Sequence, residues 1–379
     1  MSALLVVAGE ASGDRAAAAV VARLEGVRSF GLGGPALAGV GAELVGDMRQ
    51  STALGVGEAA ARAGSVLLAW RGVVQAARAR RPLAALLVNY SEFNARLAPV
   101  LHDAGIRVLW YGAPQVWAWR ARRVESLRRS VDRMAVMLPF EETLWRGAGV
   151  DAHFVGHPAL ETARLDRDTA RHALGMTPFA AAVAVLPGSR PHEVRRLLVP
   201  MLDAYERVRV DRASVDTRVL LAPSLDESTR GWANELCLER RVASFDVDPH
   251  LGAIHVLPAF DVSLCASGTA SLEAALARAV PVVAYRVGLA TELTARLLVR
   301  TPHIALPNVL LGRRAFPELL QRDVRADRLA AALADTLDQR PTLLGACDEV
   351  ETLLGPEHTP SLAVARMLSP WLGVRARAA

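Results

Sequence analysis

The sequence predicts an α/β protein of two Rossmann-like domains facing a central cleft, and three observations carry that prediction. Short apolar runs that end in polar turns alternate with longer helical patterns, as in parallel sheets buried on both faces. The pattern runs to about residue 160 and restarts after the polar helical stretch ETARLDRDTARHALGM. A chain of 379 residues with 52% hydrophobic and 22% charged side chains also exceeds one ordinary core. The break is expected within 160–178, giving domains at 1–165 and 166–345 and a helical tail at 346–379 that packs back on the first domain or on a partner chain.

In order, ALLVVAGE, PLAALLVNYSEFN, IRVLWYG, DRMAVMLPF and AHFVGHP read as the strands of the first domain. FAAAVAVLPGSR, TRVLLAPS, IHVLPAFDVSLCASGTAS and AVPVVAYRV read as those of the second. The glycines of GLGGPALAG precede a helix but lie outside a convincing first βαβ unit, so NAD binding is not expected, and no Walker motif exists. Residues 60–81 form a helix carrying Val66, Leu67, Leu68, Trp70, Val73 and Val74 beside Arg71 and further arginines. That composition fits an interfacial membrane contact, although such a segment is more often a surface helix with one buried face.

In open parallel sheets the ligand sits beyond the carboxyl ends of the strands, so the strand-tip turns hold the candidate chemistry. The first, VVAGEASGD, sets Glu10, Ser12, Gly13 and Asp14 at a helix start. Its two carboxylates repel phosphate and suit hydroxyl binding or proton transfer, although Ser12 or Asp14 also serves as a plain helix cap. VLPGSRPHE reverses the charge: Gly188, Ser189 and Arg190 can meet a diphosphate, with Glu193 entering the helix. CASGTASLE repeats the device with Ser267, Gly268 and Thr269, and Glu273 is placed to accept from ribose hydroxyls, unless this segment is only a local cap.

Every basic side chain apart from histidine is arginine, which excludes a lysine Schiff base. A net charge of +5 and a pI of about 9.7 favour an acidic partner. The interleaved aromatic and basic pattern of single-strand binders is missing, so nucleic acid is not expected. Three scattered cysteines form neither a disulfide framework nor a zinc pattern, which fits a reducing cytoplasm. There is no uncharged run of about 20 apolar residues and no signal-peptide pattern, so a soluble or membrane-surface protein is expected.

AGEASGD, GLGG, LGVGE, YGAPQVWAWR, LPFE, VGHP, LPGSR, ASGTASLE, VVAYR and LPNVLLGRRAFPELLQ follow one another as they do in lipid-A-disaccharide synthases. The resemblance covers residues 4–321. It implies an inverting GT-B hexosyltransferase that uses neither metal nor cofactor. The reaction it implies joins UDP-2,3-diacylglucosamine to 2,3-diacylglucosamine 1-phosphate (lipid X), making the β-1,6 disaccharide of lipid A and UDP. It further implies a homodimer exchanging C-terminal segments, peripheral on the anionic cytoplasmic face of the inner membrane. Arg190 would stabilise the departing diphosphate, and Asn308 would be a further donor contact. Other GT-B enzymes of UDP-amino sugars share the nucleotide half but not AGEASGD or VWAWR.

The chain departs from the family at one place. The pattern D-x-P-D-F-N, whose first aspartate is the usual candidate base, reads NYSEFN here, so Asn89 stands at the base position and Glu92 matches the second aspartate. An amide does not accept a proton at neutral pH. Three readings follow: Glu92, Asp14 or Glu10 takes the proton; the first aspartate is an orienting group that Asn89 replaces; or the chain is a weakly active or inactive UDP-sugar-binding relative. Asn94 closes the motif beside the acceptor turn. His157 is expected to be structural, and Trp117 and Trp119 to be core or cleft walls.

Overall fold

A computed structural model describes residues 2–47, 58–114, 123–212, 214–286 and 302–378. It divides into two compact units, Met1–Glu161 with Leu354–Ala379, and Thr162–Leu353. The break thus falls just before the expected 165/166, and the expected tail start at 346 lies inside a helix that runs on to Leu353.

The first unit runs β1 Ala3–Ala8, α1 Ala11–Val21, β2 Arg28–Gly33, α2 Pro35–Gly39, β3 Glu43–Asp47, α3 Glu58–Arg80, β4 Ala84–Val88, α4 Ser91–Asp103, β5 Arg107–Tyr111, α5 Arg123–Ser130, β6 Arg133–Val136, α6 Pro139–Gly147 and β7 Ala152–Phe154. The strands form one parallel sheet in the order β3-β2-β1-β4-β5-β6-β7. Its continuous apolar runs exist because both faces are buried. Leu4, Val6 and Ala8 of β1 enter one core cluster, while Leu5 and Val7 enter the other. Each such buried Leu or Val contributes about 1.5–3 kcal/mol.

GLGG, left outside the expected βαβ unit, forms the second half of β2 and, with Gly34, the N-cap of α2. Gly31 lies so close to β1 that a Cβ there would sit 1.9 Å from the Val6 carbonyl oxygen, at φ +150. Only glycine fits at that position of the strand.

Helix α3 corrects the expected membrane face. Val73 and Val74 are buried in the core, and Val66 and Trp70 pack against the same cluster. Of the residues named for that face, Leu67 and Leu68, 47% and 69% exposed, and Arg71 lie on the outer side.

The second unit runs α7 Arg167–Ala173, β8 Ala182–Leu186, α8 Pro191–Asp211, β9 Asp216–Leu221, α9 Glu227–Glu239, β10 Ala243–Asp246, β11 Val262–Ala266, α10 Thr269–Leu276, β12 Val280–Tyr285, α11 Leu306–Leu311, β13 Glu318–Leu320 and α12 Ala326–Leu353. Its parallel sheet has the order β10-β9-β8-β11-β12-β13. The last helix, α13 Pro360–Leu372, returns to the first unit, where Val364, Ala365, Leu368 and Leu372 join the cluster under β1, β4 and β5. An antiparallel bridge from Leu24 to Ala376 ties down the residues after it.

Candidate active site

Each sheet reverses its winding once, between β1 and β4 in the first and between β8 and β11 in the second. These are the topological switch points, where diverging connections open a crevice at the strand tips. The candidate residues of the sequence fall on both.

At the first switch point β1 and β4 pair directly up to Ala8 and Val88, which sets Gly9 and Asn89 in the next row. Asn89 and Tyr90 both take left-handed backbone, φ +48 and +42. The Asn89 amide lies between two glycines: a Cβ on Gly112 would meet its Oδ1 at 2.1 Å, and one on Gly13 would stand 3.6 Å from its Nδ2. Asn94, fully buried, donates from Nδ2 to the Asn89 carbonyl at 2.9 Å and holds the turn. The Asn94 Oδ1 is buried without a hydrogen-bond partner.

Glu92 stands exposed in the first turn of α4, Glu10 precedes α1 as its N-cap residue, and Ser12 is half-buried within that helix. Asp14 is different. It is 2% exposed, and its carboxylate accepts from the N–H groups of Gly34, Ala36 and Leu37 at 2.7, 2.9 and 3.3 Å. It caps α2, and a carboxylate held by three backbone donors is anchored in the fold instead of poised to take a proton. Asp14 is therefore withdrawn as a candidate base.

At the second switch point the two turns diverge. Glu193 accepts at Oε2 from the N–H groups of Ser189 and Arg190, 3.1 and 3.3 Å away, and pairs with the Arg190 guanidinium at 3.3 Å. The turn is its own cap, with Gly188 at φ +124 giving room for the Glu193 side chain. The amides expected to receive a diphosphate are thus occupied, and Glu193 is a cap in this arrangement. Arg190 still presents a half-exposed guanidinium.

The β11 turn is the open one. Gly268, at φ +137, precedes α10 with no side-chain cap and, among the described residues, nothing within 4 Å of a Cβ built on it. Ser267 donates to the Ile304 carbonyl at 3.1 Å, Thr269 starts the helix, and Glu273 is buried one turn on. The helix N-terminus offers an anion bare backbone donors. Tyr285, at the end of the adjacent β12, belongs to this region as well: burial and then the Glu193 carboxylate push its phenol up, while Arg190 pulls the other way. It stands in the quoted VVAYR segment, but a strand-end tyrosine gave no separate signal.

Asn308 is fully buried and saturated. It donates to the Phe316 carbonyl and to Glu318, and accepts from the N–H groups of Ala315 and Phe316. Glu318 in turn accepts from the N–H groups of Ile304 and Ala305 at the start of α11. This pair builds the loop, so the expected direct donor contact by the Asn308 side chain does not follow from the geometry.

His157 is buried, accepts at Nδ1 from the Ala159 N–H at 3.2 Å, and is lowered to about 4 by burial and the nearby Arg15 charge. It is neutral at pH 7. Trp117 and Trp119 lie outside the described residues. Among the described residues no group of three His, Cys, Asp or Glu could hold a metal ion. Nor is any helix there long and apolar enough to cross a membrane.

Residues 4–352 match the family described as lipid-A-disaccharide synthetase. The lipid-A-disaccharide synthase of Myxococcus xanthus (strain DK1622) is 42% identical over 337 residues, 86% of each chain. That of Anaeromyxobacter dehalogenans (strain 2CP-C) is 39% identical over 367 residues, 94% of each. Among solved structures, the UDP-GlcNAc 2-epimerase of Neisseria meningitidis bound to UDP-GlcNAc aligns with a TM-score of 0.68 at 10% identity, covering 98% of this chain and 100% of that one. MurG of Acinetobacter baumannii aligns at 0.52 with 14% identity and the same coverage. At such identities these two speak for the fold alone, which is that of GT-B proteins.

Proposed function

The chain belongs to the lipid-A-disaccharide synthase family, and from that premise we propose that it joins UDP-2,3-diacylglucosamine to 2,3-diacylglucosamine 1-phosphate with inversion. The acceptor hydroxyl attacks the anomeric carbon, the bond to the diphosphate breaks, UDP leaves, and the hydroxyl proton passes to a carboxylate. The observation that carries this reading is the open turn at the second switch point. Bare backbone at Gly268, the Arg190 guanidinium and the buried Glu273 together suit a nucleoside diphosphate leaving group.

On the acceptor side, the amide at Asn89 leaves the base to another group. Glu92 is our choice: it is exposed one turn from Asn89, whereas Asp14 is engaged by backbone. Glu10 is the alternate. The test is Glu92→Gln. Turnover should fall about 10²–10⁴-fold, with UDP affinity within about twofold of the parent. Equal turnover in both proteins removes Glu92 from the mechanism. Asn89 favours a second reading, a UDP-sugar-binding relative without transferase activity, and it predicts UDP binding with no disaccharide.

Leu67, Leu68 and Arg71 form the stripe we assign to the anionic cytoplasmic surface of the inner membrane, where both lipid substrates reside. We also propose a homodimer built by exchange of C-terminal segments. Sedimentation of the full chain as a monomer at micromolar concentration removes that dimer.

A further inference from the structure

We propose that Tyr90 is an acceptor-positioning residue, a rigidly seated aromatic rim and hydroxyl against which the saccharide acceptor is oriented. A bulky side chain at φ +42 is a backbone outlier, and here it follows a second left-handed residue, Asn89. Such strain persists where the surroundings over-determine it, and it collects at functional sites. The surroundings of Tyr90 do over-determine it. A Cβ on Gly9 would lie 2.2 Å from the ring's Cγ, so the tip of β1 has given up a side chain to seat the ring. The ring stacks on Phe93 with centroids 5.0 Å apart and planes 15° apart. The Asn94 amide N–H donates to the Tyr90 carbonyl at 3.0 Å, while its side chain holds the carbonyl of Asn89.

Tyr90 packs against the core cluster that holds Leu5, Val7 and Phe93, yet it is only half-buried, so core filling uses part of the ring and leaves the rest at the mouth of the switch point. Glu10 follows Gly9 in the chain, and the exposed Glu92 follows Tyr90 by two residues in the first turn of α4. A pyranose presents apolar C–H patches beside hydroxyls, and an aromatic rim that carries a phenol matches both. In the family pattern D-x-P-D-F-N this position is unspecified, so the inference concerns this chain's own tyrosine. It rests on the reading that the first unit takes the acceptor.

The test is steady-state kinetics of the full-length protein, with 2,3-diacylglucosamine 1-phosphate varied at saturating UDP-2,3-diacylglucosamine and then the reverse. Tyr90→Phe keeps the seated ring and should raise the acceptor KM about 5-fold, Tyr90→Ala about 30-fold, with kcat and donor KM within about twofold. Gly9→Ala keeps the hydroxyl but displaces the ring, and should raise the acceptor KM in the same way. Acceptor KM unchanged in Tyr90→Phe, or donor and acceptor KM rising together, overturns the proposal while leaving the reaction intact. A parent protein that binds UDP but never uses this acceptor overturns the underlying reading, and this inference with it.

Discussion

The tips of β1 and β4 and the tips of β8 and β11 hold the same place in their sheets and are built on opposite plans. The first is a fitted socket. Two glycines clasp one amide, a third seats an aromatic ring, two consecutive residues are forced left-handed, and a buried asparagine ties the turn together. The second is an open turn, where nothing among the described residues crowds Gly268 and the Arg190 guanidinium after β8 is half-exposed. Topology chooses where a ligand binds, and side chains choose which ligand. A socket of amide and aromatic side chains suits neutral hydroxyls. A bare helix start with a cation suits a diphosphate.

The sharpest break of this contrast is Arg190→Ala. Loss of the cation proposed for the leaving group should lower turnover about 10²–10³-fold and weaken UDP, and acceptor KM should barely move. A large acceptor effect would erase the division of labour. Asp14→Ala comes next, at about 2–4 kcal/mol of stability, because it strips a cap and leaves backbone donors of α2 buried. Denaturant melts read this, and the surviving folded protein should turn over normally. A folded variant with abolished turnover would restore Asp14 to the chemistry.

His157 supplies a pH test of the first unit. Its pKa, about 4 in the fold, lies below the unfolded value near 6.5, so the unfolded chain binds the proton first as pH falls. Stability is whole above about 6.5 and declines as pH drops towards about 4, by at most about 3 kcal/mol. Unfolding at pH 7.5 and pH 4.5 should show a smaller acid loss in His157→Gln. An equal loss would place the sensitivity elsewhere. The smallest effect is Glu193→Ala, about 1 kcal/mol of stability. It frees the Ser189 and Arg190 amides, so UDP affinity should hold or rise, and a large fall would make Glu193 a ligand contact.

Much of this was legible beforehand because strand tips are local signals. Apolar runs ending in AGEASGD, NYSEFN, LPGSR and ASGTASLE mark the two switch points. The errors were non-local. The partners of Asp14 lie twenty or more residues on, at Gly34, Ala36 and Leu37, and no window around Asp14 contains them. Asn308 looked like a ligand contact because its saturation depends on how the 315–318 loop folds back. Two further features are legible in local spacing. Glu193, three residues after Arg190, has the spacing of a capping box. Val66, Trp70, Val73, Val74 and Ala77 share the helical spacing of one face, apart from Leu67, Leu68 and Arg71.

The central claim is that this chain makes disaccharide with an amide at the base position. The direct measurement is mass-spectrometric turnover of the purified protein with UDP-2,3-diacylglucosamine and 2,3-diacylglucosamine 1-phosphate, beside Asn89→Asp. Product is expected from the parent, with a gain below about 3-fold from the aspartate, well short of the full contribution of a base. Product from Asn89→Asp alone, with both proteins binding UDP, would contradict the claim.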